Sequence, residues 1–107
     1  MVMFKRCFLD KIVKGEKTQT RRLHRRTWQV GKVYPVQTRW YDKPAAHIFI
    51  TRKFQQRLGE ISLTEVHKEG FGNFDEFKRA WIEINGCWDS DCVVWAYEFR
   101  VVDSTGV

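Results

Sequence analysis

At 107 residues the chain has room for one hydrophobic core and not for two. Its 43% hydrophobic and 15% aromatic content suits a packed interior and argues against disorder, and no apolar run approaches the roughly 18 residues of a membrane span. A net charge of +6 favours a polyanionic partner, nucleic acid foremost.

The opening MVMFKRCFLDKIVKG scatters charges through its length and lacks the apolar stretch and small-residue cleavage site of a signal peptide, so a cytoplasmic location is expected. Cys7, Cys87 and Cys92 are an odd set, which argues against a disulfide framework. Cys87 and Cys92 have no histidine nearby, and His24, His47 and His67 stand singly, so neither a metal site nor a cofactor is expected.

Met1 to Phe8 reads as a first strand, with Phe4, Cys7 and Phe8 apolar. Leu9, Ile12 and Val13 then recur at the spacing of a short amphipathic helix to Lys14, and Gly15 supplies its left-handed end. The run that follows, GEKTQTRR from Gly15 to Arg22, packs cations and hydroxyls densely and reads as the floor of a site for an anionic or polar ligand. If Thr18 to Arg22 is a strand, Thr18, Thr20 and Arg22 share one face and Gln19 and Arg21 the other. Strict alternation puts Lys17 opposite Thr20, while the helix-to-strand turn leaves room for the two to converge.

Leu23 to Val30, LHRRTWQV, reads as a basic exposed loop carrying Arg25, Arg26 and one aromatic ring, Trp28. Val33 to Thr38 begins a strand that Pro35 confines to an edge or bulge. A turn at Trp40 to Pro44 leads to Ala46 to Phe54, the clearest internal strand. Trp28, Trp40 and Tyr41 lie among Arg25, Arg26, Arg39 and Lys43, an arrangement that suits stacking on unpaired bases or packing against a barrel end.

Ser62 and Glu65 form a capping box for a short helix to Lys68. Asn73 caps the next helix with Glu76 as reciprocal partner, and Phe74, Phe77, Trp81 and Ile84 define its buried stripe up to Gly86. Val93 to Val102 is a long closing strand. Residues 1–103 therefore make one α+β domain, a small curved sheet or partly closed barrel with helices at its mouth, and residues 104–107 a frayed tail.

GEKTQTRR, the VGKVYPV turn and strand, and LGEISLTEVHKEGFGNFDEFKRAW before a closing apolar strand resemble an ASCH domain of the PUA-like superfamily. The resemblance covers the chain apart from its tail. It implies a PUA-like mixed β pseudo-barrel with short helices at the mouth and a cleft lined by the lysine-threonine segment. It further implies RNA or a modified nucleoside as partner, or, as in some small members, an amidohydrolase that removes the acetyl group of N(4)-acetylcytidine. By match to that motif the catalytic residues fall on Lys17, Thr20 and Glu69, with Arg22 beside them. Thr18, Arg21, Arg22, Arg25, Arg26, Trp28, Arg39 and Trp40 complete the expected ligand or RNA contacts. The longer basic segment Leu23 to Trp28 and the Gly70-Phe71-Gly72 turn depart from the family pattern.

These residue types suit that chemistry. A threonine hydroxyl needs a base, and a lysine serves when burial or neighbouring cations depress its pKa. Arg21 and Arg22 are placed to do so, and Glu69 to orient the lysine or shuttle a proton. The same residues also fit a plainer account, with Lys17 a phosphate contact and Glu69 a salt-bridge partner of Lys17 or Arg22.

Overall fold

The two longest apolar-alternating segments pair with each other and form the spine of the sheet. In the computed structural model, which describes residues 2–24, 26–37, 43 and 46–103, β4 (Ala46–Arg57) runs antiparallel to β5 (Val93–Asp103). The expectations placed on Arg25, Arg39, Trp40, Tyr41 and the 104–107 tail lie outside the described residues. β3 (Val33–Gln37) pairs antiparallel with β4, and β2 (Gln19–Arg22) antiparallel with β5. A two-residue β1 (Val2–Met3) adds in parallel to β3, so the strand order is β1-β3-β4-β5-β2. Among the described residues the edge strands β1 and β2 do not pair with each other, and the mixed sheet stays open.

The expected first strand is shorter than its apolar content suggested. Only Val2 and Met3 pair, and α1 (Arg6–Val13) takes over at Arg6, carrying Cys7 and Phe8 with it. Helical spacing of Leu9 and Ile12, both buried, decides the matter, because one helix turn places both on the sheet. Gly15, at φ +79°, lets the chain leave the helix toward β2. Pro35 is accommodated as its missing N–H requires. β1 reaches only Val36 and Gln37, so Pro35 sits on the stretch of β3 whose outer side carries no strand among the described residues.

Alternation along β5 supplies two cores. Tyr97 and Phe99 face Ile48, Ile50, Ile12, Leu9 and Phe4 on the α1 side, while Val94 faces Leu58, Val66, Phe77 and Trp81 on the other. A bulge between Ile50 and Arg52 re-aims β4, so that Phe54 and Gln56 fall opposite Ala96 and Val94. Each fully buried isoleucine in the first core contributes on the order of 1.5–3 kcal/mol.

The second core is closed by α2 (Leu63–Lys68) and α3 (Phe74–Asn85). The Ser62 capping box forms as expected: its hydroxyl accepts from the Glu65 N–H at 3.1 Å and its own N–H donates to Glu65 Oε1 at 3.0 Å. At α3 the Asn73 side chain accepts from the Glu76 N–H at 2.9 Å, but the Glu76 carboxylate reaches Gly72 N–H, one residue earlier than a capping box requires. The α3 stripe is also narrower than expected. Phe77 and Trp81 are buried, whereas Phe74 is 38% and Ile84 54% exposed. The helix overhangs its core at both ends, with the Phe74 ring against Trp88 at 5.4 Å and Ile84 on the wall of a cleft.

Candidate functional site

A cleft of about 810 Å³ opens at the β2 edge of the sheet, between the start of α1 and the outer flank of α3. Its floor is Lys17, Thr20 and Glu69, its apolar walls include Phe8, Phe71 and Trp81, the half-buried Arg22 lines it beside Thr20, and the exposed Lys5, Arg6, His24 and Arg26 form its rim.

Glu69 is brought to the floor by the end of α2, whose C-cap it forms. The next residue, Gly70, turns the chain at φ +97°, and a side chain there would meet the Lys11 Cδ at 3.1 Å. Lys11 Nζ donates to the Gly70 carbonyl and so ties this turn to α1. Lys17 enters from the other side, its N–H held by the Lys11 carbonyl at 3.1 Å.

Lys17 Nζ donates to the Glu69 backbone carbonyl at 2.8 Å and to Glu69 Oε1 at 3.0 Å. The other carboxylate oxygen accepts from Arg21 at 2.9 Å, so two cations share one buried carboxylate. Phe8 and Phe4 place their ring centroids 5.1 and 5.9 Å from the ammonium. Burial holds the Lys17 pKa below its ordinary value of 10.5, with Arg22 and Arg21 pushing the same way and Glu69 opposing them.

Arg21 has its side chain wholly out of solvent. It donates to Gln19 and Glu69 through one terminal nitrogen, to Gln56 and Glu65 through the other, and to Gln56 through Nε. Five N–H donors are all that a guanidinium has, so Arg21 is committed to protein groups and leaves no donor for a ligand phosphate. The network continues from Gln19 to Glu98 at 2.9 Å and on to Lys68 at 3.1 Å. Desolvation raises the pKa of Glu65, but the Ser62, Gln56 and Arg21 contacts outweigh it and hold the carboxyl below its ordinary range.

Strand parity holds in this region. Lys17 and Arg21 meet the carboxylate of Glu69, with Gln19 beside them on Arg21 and Glu98, and Thr20 and Arg22 point the other way, with Thr20 opposite Tyr97 and Arg22 opposite Trp95. Lys17 and Thr20 nevertheless line one cleft, because β2 is an edge strand and the cleft wraps its open side. Thr20 is 5% exposed, and among the described residues its hydroxyl makes no hydrogen bond. Thr18 is half-buried; its backbone donates to the Lys68 carbonyl and accepts from the Phe99 N–H, which fixes the entry to the strand.

Trp28 corrects the sequence reading. It is 7% exposed and packs edge-on against Tyr97 at 4.9 Å, so its ring belongs to the core and is not displayed for stacking. The Arg22 guanidinium carbon lies 5.2 Å from that ring and 4.8 Å from Phe4. Burial first, then the charge of Arg26, brings the Arg22 pKa down to about 10. Sequence reasoning missed Gln56 and Trp81 as site residues, and gave Glu65 only its capping role. The link from the capping box to Arg21 is long-range, and no local pattern announces it.

No family model matches the sequence, and no curated protein does. Solved structures do. A protein of Enterococcus faecalis V583 described by the family model DUF984 superposes with a TM-score of 0.71 at 18% identity, over 94% of this chain and 73% of that one. The ASCH domain from Lactobacillus crispatus JV V101 gives 0.66 at 25% identity, over 89% and 70%. ASCH from Zymomonas mobilis gives 0.67 at 14% identity, over 92% and 64%. The open α+β sheet is thus the fold seen in these ASCH domain structures.

Proposed function

We propose that the cleft binds a modified pyrimidine nucleoside, free or carried in RNA. The observation that carries this reading is the floor itself: a buried lysine and a threonine hydroxyl that makes no hydrogen bond among the described residues line one cleft with apolar walls, roomy enough for a nucleoside. Two of the three Lys17 N–H groups go to Glu69, and among the described residues no hydrogen bond takes the third. That N–H and the Thr20 hydroxyl suit the polar edge of a base, with Phe71 and Trp81 flanking it.

The depressed Lys17 pKa favours a second reading, amide hydrolysis of N(4)-acetylcytidine, the substrate implied by the sequence resemblance. Neutral Lys17 takes the Thr20 proton as the Thr20 oxygen bonds to the acetyl carbonyl carbon. The tetrahedral oxyanion then collapses, the C–N4 bond breaks, and the proton passes to the departing amine. Water next cleaves the acetyl-threonine ester, releasing acetate. Arg22 is the cation nearest in sequence on the Thr20 face and suits the oxyanion.

The test is incubation of the protein with N(4)-acetylcytidine, followed by mass spectrometry and by binding measurement. Binding without loss of the acetyl group supports the first reading alone. Turnover that disappears in Lys17→Ala and in Thr20→Ala, with the double variant scarcely worse than either, supports the second. A wild type that neither binds nor consumes this nucleoside rejects both for this substrate.

A further inference from the structure

Glu65 in the first turn of α2 and Glu69 at its C-cap lie four residues apart, so both carboxylates leave one flank of the helix. Like charges at that spacing repel each other, and Arg21 stands between them. One terminal nitrogen of Arg21 donates to Glu65 Oε2 at 2.7 Å, and the other donates to Glu69 Oε2 at 2.9 Å. Gln56 closes the arrangement from β4. Its Oε1 accepts from Arg21 Nε at 3.1 Å and from a terminal nitrogen at 2.8 Å, and its Nε2 donates to Glu65 Oε1 at 3.1 Å.

Glu69 is thereby divided between two cations. Oε2 belongs to Arg21, while Oε1 and the backbone carbonyl of the same residue accept from Lys17 at 3.0 and 2.8 Å. A carboxylate released by Arg21 is free to turn both oxygens onto the lysine and hold it as the ammonium. Besides Glu69, the charges acting on Lys17 are Arg22 and Arg21 of β2. α1 meets it with Phe8 and with Lys11, whose Nζ is taken by the Gly70 carbonyl. The exposed Lys5, Arg6, His24 and Arg26 stay at the rim, and among the described residues the α3 side chains that line the cleft carry no charge. Glu65 is not among the groups that act on Lys17 directly, so its influence there passes through Arg21.

We infer that Arg21 is a positioning residue: clamped by Glu65 and Gln56, it claims one oxygen of Glu69, confines that carboxylate to a single oxygen toward Lys17, and so keeps the lysine available to a bound ligand. The inference rests on the reading in which Lys17 takes the Thr20 proton. It adds to that reading a residue whose own N–H groups are all spent on protein. It also predicts that a change at Glu65 reaches Lys17 without touching it.

The test is a pH titration of the Lys17 Cε and Hε resonances in the full chain labelled with 13C-lysine, assigned by comparison with Lys17→Arg. It needs no substrate, and the pH–rate profile for N(4)-acetylcytidine is recorded beside it. Arg21→Met removes a repelling cation and releases the second Glu69 oxygen, so the Lys17 midpoint should rise by about one pH unit. Turnover near neutral pH should then fall about tenfold and return as the pH is raised. Arg21→Lys keeps a cation at Glu69 without the fork that spans both carboxylates, and its midpoint should lie between those of Arg21→Met and wild type. Glu65→Gln leaves Arg21 more wholly to Glu69 and should move the Lys17 midpoint the opposite way, to lower pH. That variant decides the matter if Arg21→Met fails to fold, since the Glu65 side chain is only partly buried. A Lys17 midpoint that stays at its wild-type value in Glu65→Gln overturns the inference, and so does a loss of turnover in folded Arg21→Met that no rise in pH restores. Opposite shifts in the two variants, in a protein that leaves N(4)-acetylcytidine intact, keep the role of Arg21 and reject the hydrolysis of that substrate.

Discussion

Lys17 Nζ and Glu69 Oε1 stand 3.0 Å apart although 52 positions separate them in the chain, and both side chains are almost wholly buried. A buried pair of this kind stabilises little against an apolar substitute, because both ions were taken out of water to form it. Breaking it from one side is a different matter, and here the carboxylate also serves Arg21.

Glu69→Ala is therefore expected to destabilise the fold by about 3–5 kcal/mol, since it strands the buried Lys17 cation and leaves Arg21 with Glu65 as its carboxylate. Glu69→Gln should lose less, because its amide oxygen still accepts from one of them. Urea unfolding followed by tryptophan fluorescence measures both. A Glu69→Ala variant as stable as wild type would show that the two cations find solvent or other partners at no cost.

If Lys17 acts as the base, turnover should rise as pH increases through its depressed pKa, where the amine becomes neutral. The groups that set this value are burial, Glu69, Arg22 and Arg21. Removing the positive charge in Arg22→Gln makes the ammonium easier to keep, so the rising limb of the pH–rate profile should move to higher pH. A limb that stays in place would assign it to another group.

Stability in acid should depend on Glu65. Its folded pKa lies below the ordinary value of 4.5, so the native state holds fewer protons than the unfolded chain just below that pH. Its contribution is present above 4.5 and is lost as pH falls through the folded value. Glu98, likewise held low by Lys68 and Gln19 after desolvation is overcome, adds to the same window. Melting temperatures of wild type and Glu65→Gln should thus differ at neutral pH and converge in acid. Parallel curves would mean that the carboxylate contributes through shape alone.

Gly70→Ala should destabilise by about 1–3 kcal/mol, because the residue needs a left-handed backbone. The added methyl also presses on the Lys11 side chain that pins the turn. Nucleoside affinity should fall with it, since Glu69 is the preceding residue. Titration of the variant with N(4)-acetylcytidine reads that effect.

Much of the local architecture was legible in the residues themselves. Ser62 with Glu65, Asn73, Gly15 and Gly86 marked helix ends where the structure has them, because caps act within one turn of chain. The alternation of Ala46 to Phe54 and Val93 to Val102 specified strands for the same reason, since side-chain period is a property of the segment. The parity of Lys17, Gln19 and Arg21 could also be counted off directly. What the tertiary structure alone decided was which of these groups would meet and which would be buried. Arg21 looked like a ligand contact and is consumed by Glu69, Glu65, Gln19 and Gln56. Trp28 sat among cations in sequence and lies in the core, while Phe74 and Ile84 kept the helical stripe and reached solvent. Burial and ion pairing are set by what packs opposite a residue, and across 48 positions between Arg21 and Glu69 no local pattern carries that information.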